Sequence, residues 1–173
     1  MIVLVGESGS GKSTIEKALW GKGLGKVVSY TTRPIREGET DGVNYHYITK
    51  EKFQKLKSEK FFAESTCYNG WCYGMENKDY GISSVAIVEP YGLRQLKKIK
   101  DLKIHSFYIQ ASQSERLICL AHRGGGTIEI FRRIISDQGV FQGISDEVDY
   151  VINGNLPVSE SVEEILDKMR VYL

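Results

Sequence analysis

Eight residues near the start of the chain, Gly6-Glu7-Ser8-Gly9-Ser10-Gly11-Lys12-Ser13, have the spacing of a phosphate cradle. The pattern is G-x-x-x-x-G-K-[ST]: its glycines let successive N–H groups face one anion, and its lysine reaches the outer phosphates. The apolar run Ile2-Val3-Leu4-Val5 leads into it, and Thr14-Ile15-Glu16-Lys17-Ala18-Leu19-Trp20 continues in helical character. A helix starting near Lys12 turns its positive dipole end toward the bound anion. The pattern therefore expects Gly6, Ser8, Gly9, Ser10, Gly11, Lys12, Ser13 and Thr14 to hold a nucleoside triphosphate, with the Ser13 hydroxyl on Mg²⁺.

Arginines supply the second chemical signal. Arg33 and Arg36 lie in a polar, irregular stretch whose composition also suits an ordinary solvated loop. Arg116 and Arg123 precede Gly124-Gly125-Gly126, and Arg132 and Arg133 follow it. Moving a phosphoryl group between two phosphorylated molecules requires dense positive charge, because repulsion must be cancelled before the atoms approach. Guanidinium forks suit this better than lysine, since they grip phosphate oxygens in pairs. A glycine hinge flanked by arginines also fits a lid, about residues 121–133, that closes to exclude water. At least one of Arg132 and Arg133 is expected on the solvated face of its helix.

Those residues need a frame. Strands are predicted over 26–29, 43–48, 84–88, 103–109 and 150–152, and a hairpin over 61–65 and 68–74 about Asn69-Gly70. Thr49 can cap a helix over 50–60, and a second helix is expected over 91–100. Ser112 or Ser114 can cap a third, running through residue 120. Ile128, Phe131, Ile134 and Ile135 mark one face of a fourth. Ser161 and Glu164 have capping-box spacing for the last helix, which buries Val162, Ile165, Leu166 and Met169. Trp20, Phe53, Phe107 and Phe131 are expected in the core. Repeated βα units on a phosphate loop predict an α/β fold: a mostly parallel sheet of about five strands flanked by helices, with ligands beyond the carboxyl ends of the strands. The aromatic-rich stretch of about 30–80 interrupts the alternation and is expected to form an inserted, mixed β-rich lobe, leaving 1–29 and 81–173 as the core of a single domain.

Composition narrows the class. A chain of 173 residues with net charge +1 has no polyelectrolyte signal for nucleic acid or an acidic membrane. The three cysteines, Cys67, Cys72 and Cys119, include no C-x-x-C pair and argue against disulfide scaffolding or structural zinc. His46, His105 and His122 form no metal spacing. No apolar run approaches the roughly 20 residues of a membrane span. The first strand begins too early to leave room for a signal peptide, so a cytoplasmic protein is expected.

The stretch Ser29-Tyr30-Thr31-Thr32-Arg33-Pro34-Ile35-Arg36-Glu37-Gly38-Glu39, followed by Asp41-Gly42-Val43-Asn44-Tyr45, resembles the signature of the guanylate kinase family. The resemblance runs from the phosphate loop to Asp149-Tyr150-Val151-Ile152-Asn153 and is strongest over 26–74. It implies a nucleoside monophosphate kinase that uses ATP and Mg²⁺ to phosphorylate GMP or dGMP, acting as a monomer or homodimer. Ser29, Arg33, Arg36, Tyr45 and Tyr73 would hold the acceptor's phosphate, and Glu64 would accept from guanine N1–H and the 2-amino group. Lys12, Arg33, Arg123 and Arg133 would stabilise the transferring phosphoryl. Arg116 has no counterpart in the pattern.

The chain departs from the family at three places. Met75 stands where a Ser or Thr usually touches the base. The family's D-x-D-x-x-G becomes Ile87-Val88-Glu89-Pro90-Tyr91-Gly92, so Glu89 replaces the second aspartate. The connection from Gly74 to Glu89 is shorter than usual. These changes keep two other readings open: a kinase of another small phosphorylated acceptor, and a peptide-binding module on the same fold.

Overall fold

The first strand, β1 (Ile2–Val5), is buried along its whole length. An uninterrupted apolar run requires cover on both faces, as a central strand of a parallel sheet has. The computed structural model describes residues 1–68, 70–78, 80–122, 124 and 126–172. In chain order, β1 is followed by α1 (Lys12–Gly21), β2 (Gly25–Lys26), β3 (Tyr30–Thr31), β4 (His46–Tyr47), α2 (Lys50–Ser58), β5 (Phe62–Tyr68) and β6 (Trp71–Glu76). Then come β7 (Ser84–Ile87), α3 (Pro90–Leu96), β8 (His105–Gln110), α4 (Gln113–His122), α5 (Thr127–Asp137), α6 (Ile144–Glu147), β9 (Tyr150–Asn153) and α7 (Val158–Met169).

Two sheets result. The larger has five strands, all parallel, in the order β2-β7-β1-β8-β9. Alternate residues of β1 go to opposite faces: Val3 and Val5 pack with Leu93 and Leu96 of α3, and Ile2 and Leu4 with Ile15 and Leu19 of α1 and Ile165 of α7. The second sheet has four strands in the order β4-β3-β6-β5, with β3 and β4 parallel and the other pairs antiparallel. The predicted α/β fold, a parallel sheet of about five strands flanked by helices, therefore holds.

Several local expectations are corrected. Of the strand expected over 26–29 only Lys26 keeps ladder pairing, with Val27 N–H still bonded to Val85 O, because Tyr30 and Thr31 leave to join the second sheet. Residues 43–48 yield only the two-residue β4. Helix α3 stops at Leu96, where the N–H groups of Lys98 and Ile99 switch to carbonyls three residues back. Helix α7 starts at Val158 after Pro157, so Ser161 lies inside its first turns, buried, instead of capping it. Phe53 and Phe107 are core residues, whereas Trp20 is half-buried and Phe131 is 58% exposed. Cys67 and Cys72 are joined as a disulfide. The hairpin places them directly opposite each other, a geometric neighbourhood that cysteine spacing alone did not suggest. Gly70 of the expected turn has φ 77°, and Asn69 lies outside the described residues.

Candidate active site

The carboxyl ends of the five-stranded sheet face the second sheet across a cleft of about 530 Å³. Four buried side-chain polar atoms have no partner among the described residues: Ser10 Oγ, Trp20 Nε1, Glu64 Oε2 and Glu89 Oε2. All four residues line this cleft. Buried polar groups in folded proteins are almost always paired, so orphans gathered on one cavity mark where a ligand completes them.

The phosphate loop forms one wall. Ser8, Gly9, Ser10, Gly11, Lys12 and Ser13 border the cleft, whereas Gly6 and Thr14 support the loop without reaching it. Lys12 Nζ donates to the carbonyls of Gly6 and Glu7, holding the ammonium across the mouth of the loop. Gly9 has φ +84°, and a Cβ there would lie 2.5 Å from Arg116 O, so only glycine lets the loop press against α4.

Behind the loop lies a buried ionic network. Arg116 donates to Ser8 O at 2.9 Å, to Glu7 at 2.8 Å and to Asp137 at 2.6 Å. Asp137 also accepts the Ser8 N–H at 2.8 Å and the Tyr68 hydroxyl at 2.5 Å. Tyr108 donates to the other oxygen of Glu7 at 2.9 Å. One carboxylate at the end of α5 thus ties the phosphate loop, helix α4 and the β5 strand of the second sheet together. Arg116 was visible as an arginine without a place in the pattern, but neither Asp137 nor Glu7 carried any sequence signal for this role.

The second wall carries Ser29, Arg33, Arg36, Tyr45 and Tyr73. Arg33 is buried and donates to Glu39 at 2.8 Å, with its guanidinium over the rings of Tyr45 and Tyr47 at 5.5 and 5.7 Å. Glu39 orders this loop: it also accepts the Arg36 N–H and the Tyr47 hydroxyl, each at 2.8 Å. Burial works to raise the Glu39 pKa, but the bonds from Arg33, Arg36 and Tyr47 outweigh it and hold the carboxyl at about 2. Tyr45 and Tyr73 approach with ring centroids 6.0 Å apart, and burial raises the pKa of both hydroxyls, which stay neutral donors.

The far end of the cleft is acidic. Burial pushes the Glu64 carboxyl from 4.5 up to about 8, partly offset by the Met75 N–H and reinforced by Glu89. Burial likewise raises Glu89 to about 7, with Lys12 acting against it. A Cβ at Gly92 would lie 2.6 Å from Glu64 Oε2, so the glycine of helix α3 makes room for that carboxylate. Ile87 and Glu89 line the cleft, whereas Met75 is fully buried in the core beneath it with Val88 and Leu93. Thr66, two residues along the strand from Glu64, lines the cleft as well.

This arrangement is that of a known family: the guanylate kinase model matches residues 1–173. The chain belongs to the guanylate kinase family. It is a phosphotransferase by that membership. It is 32% identical to the guanylate kinase of Clostridium perfringens strain SM101, over 100% of this chain and 82% of that protein. Identity is 30% to the guanylate kinase of Prochlorococcus marinus, over 96% of this chain and 94% of the relative. A 76-residue stretch is 50% identical to the guanylate kinase of Schizosaccharomyces pombe, covering 42% of this chain and 38% of that one. The crystal structure of guanylate kinase from Anaplasma phagocytophilum superposes with a TM-score of 0.74 over 99% of this chain and 84% of the other, at 23% identity, which supports the fold. Neither the other-acceptor reading nor the peptide-binding reading gains support from these relatives.

In this guanylate kinase family member, Arg132 and Arg133 on α5 both border the cleft. The Arg132 side chain is 37% exposed, in line with the expectation that one of the two lies on the solvated face, and that of Arg133 is 17% exposed. Arg123 lies outside the described residues. Helix α5 turns its arginines and Asp137 inward and leaves Ile128, Phe131 and Ile135 exposed at 86%, 58% and 61%. Its apolar stripe therefore points outward, the reverse of what periodicity alone implies. Glu16, buried on α1 beside Lys26 at 3.6 Å, and Trp20 line the cleft without having been singled out as site residues.

Proposed function

We propose that the protein transfers the terminal phosphoryl group of ATP to GMP or dGMP. The observation that carries this reading is Glu64: a buried carboxylate with an unpartnered oxygen at the end of a cleft whose other walls are a phosphate loop and an arginine pair. Guanine presents N1–H and the 2-amino group side by side, and a carboxylate accepts both; adenine and the pyrimidines lack that adjacent pair of donors on one edge. The names of the relatives point the same way.

On this reading, residues 1–29 and 81–173 form the core of one domain, about 30–80 hold the acceptor, and about 121–133 form the lid. Lys12 and the loop N–H groups hold the donor phosphates. The fit rests on the loop itself, where Ser10 Oγ is buried without a partner beside the cleft. Ser13 is exposed at the first turn of α1, and the described residues contain no cluster of three His, Cys, Asp or Glu to hold a metal. Magnesium would therefore be held by Ser13, the phosphates and water, and it supplies neutralisation of the donor phosphates when bound. Ser29, Arg33, Arg36, Tyr45 and Tyr73 grip the acceptor's phosphate, with Glu64 and Glu89 at its base. The attacking oxygen is already ionised, so no general base is needed. Lys12, Arg33, Arg123 and Arg133 offset the repulsion between the two phosphates and the charge on the group in flight. No described helix is long and apolar enough to cross a membrane. On this reading the enzyme is cytoplasmic and acts on a small nucleotide, as a monomer or homodimer.

Two measurements test the acceptor half. Glu64→Gln is expected to weaken GMP binding by about 1–3 kcal/mol, roughly 5- to 150-fold in affinity, because the amide places a donor against guanine donors. Unchanged affinity would remove Glu64 from base recognition. The wild type should also bind GMP more tightly as pH rises toward about 8, because the raised carboxyl must release its proton to accept from the base. Stability of the free protein runs the other way. Between 4.5 and about 8 the folded chain holds a proton that the unfolded chain has lost, so this contribution falls as pH rises. Calorimetry across pH 6–8 reads both. Arg36→Ala should raise the Michaelis constant for GMP about tenfold, the cost of one charge-assisted bond, and leave that for ATP nearly unchanged; a selective rise for ATP would place Arg36 on the donor.

A further inference from the structure

Arg132 and Arg133, the two arginines that α5 brings to the cleft, are not directed at empty space. Both bond one carboxylate, Glu129, in the early part of α5. Arg132 grips it through two nitrogens at 2.7 and 2.8 Å, and Arg133 Nε donates to Oε1 at 2.8 Å. The same Oε1 lies 4.0 Å from the Arg36 guanidinium, which belongs to the acceptor loop and not to the helix. Surface pairs three or four residues apart on a helix are commonplace and weak. This group differs because it draws on two elements, and because all three arginines line the cleft.

A carboxylate offers a guanidinium the same pair of oxygens that a phosphate does. Glu129 therefore competes with substrate phosphates for Arg36, Arg132 and Arg133. Its carboxyl is held at about 2, first by the bond from Arg132, so it stays anionic throughout the working range. Arg36 has its pKa lowered by burial and then by its neighbours Arg33 and Arg133, which shows how closely the cations of the two elements crowd.

We propose that Glu129 makes phosphoryl transfer conditional on the acceptor, by keeping the lid arginines from the donor until an acceptor phosphate displaces it. Resting on the kinase reading above, the inference concerns the choice between acceptor and water. In transfer, an acceptor phosphate oxygen bonds to the γ-phosphorus of ATP as the bond to the β,γ-bridging oxygen breaks, giving ADP and GDP. In hydrolysis, water takes the acceptor's place and the products are ADP, phosphate and a proton. GMP brings a phosphate dianion to Arg33 and Arg36, beside Glu129 Oε1. That anion repels the carboxylate and takes its share of Arg36, releasing Arg132 and Arg133 to the transferring group. Water brings no charge and leaves Glu129 in place. Glu129 is a positioning residue: it acts through the arginines and touches no reacting atom.

The test measures ADP release from ATP and Mg²⁺, with and without GMP, in wild type, Glu129→Gln and Glu129→Asp. Without GMP, E129Q should release ADP at least about tenfold faster than wild type, a small part of the 10³–10⁵ that a well-placed arginine gives phosphoryl transfer. E129D, which keeps the charge, should stay closer to wild type than E129Q does. A second arm needs no variant: phosphite with guanosine, supplied to the wild type in place of GMP, should also speed ADP release, because the dianion alone displaces Glu129. A folded E129Q protein with unchanged GMP-free release overturns the inference while leaving the kinase reading intact, and so does a wild type indifferent to phosphite, the deciding arm should E129Q not fold. A wild type that transfers nothing to GMP overturns the kinase reading and this inference with it.

Discussion

Lys12→Ala is expected to lower turnover with ATP and GMP by about 10³-fold, the upper range for loss of one preorganised donor at a developing charge. The structure gives the reason for so large an effect from one side chain. Lys12 is anchored by the carbonyls of Gly6 and Glu7, so its ammonium stands at the cleft before any nucleotide arrives. No reorganisation is required at the moment of reaction, and nothing else in the loop carries a full positive charge. Because the ammonium also faces Glu89 across the cleft, its removal should raise the Glu89 pKa further, since Lys12 now acts to lower it. Steady-state kinetics with a coupled ADP assay would check the first effect. Turnover within tenfold of the wild type would show that the loop does not handle the transferring phosphates.

Asp137→Ala is expected to cost about 3–5 kcal/mol of stability, the usual penalty for breaking a buried ion pair by removing one partner. Arg116 has side-chain exposure of only 7% and, among the described residues, would keep only Glu7 as its ionic partner. The Ser8 N–H and the Tyr68 hydroxyl would lose their acceptor at the same time. Against a total stability of about 5–15 kcal/mol, that loss brings the protein close to unfolding at ambient temperature. Replacing both members together, Asp137→Leu with Arg116→Met, should cost less than the single change, since the more deeply buried guanidinium goes with its carboxylate. The charge that then loses its cation is that of Glu7, 20% exposed and still bonded by the Tyr108 hydroxyl. Chemical denaturation of the three proteins decides it. A single mutant as stable as the wild type would mean that the network contributes nothing.

What was legible in the chain depended on distance along it. The phosphate loop, the hairpin and the arginine-bearing signature are local patterns, and each forms where its spacing places it. The parallel sheet followed because continuous apolar strands separated by helical periods have few other solutions. Residues whose role depends on remote partners were harder. Asp137 looks like the polar end of an amphipathic helix until Ser8, Tyr68 and Arg116 converge on it. Phe131 and Ile135 read as a core stripe because periodicity says which residues share a face but not which way that face turns. Here the charged face of α5 borders the cleft. Ser161 showed the same weakness on a smaller scale: its spacing to Glu164 fitted a cap, but Pro157 had already started the helix. Met75 stands at a position the resemblance associates with the base, yet it lies opposite Glu64 in the β5–β6 pairing and is fully buried in the core.

The bond from Ser8 to Asp137 joins residues 129 positions apart. At a synthesis rate of about 5–20 residues per second, the loop leaves the peptidyl-transferase centre roughly 6–26 seconds before its anchor is made. During that interval the loop has neither Asp137 nor, for most of it, Arg116 behind it. Nascent chains halted short of residue 137 therefore carry the complete nucleotide-binding motif without the brace that holds it in shape. The brace arrives late in synthesis, with the last quarter of the chain, although the loop proposed to hold the donor is among the first stretches to be made.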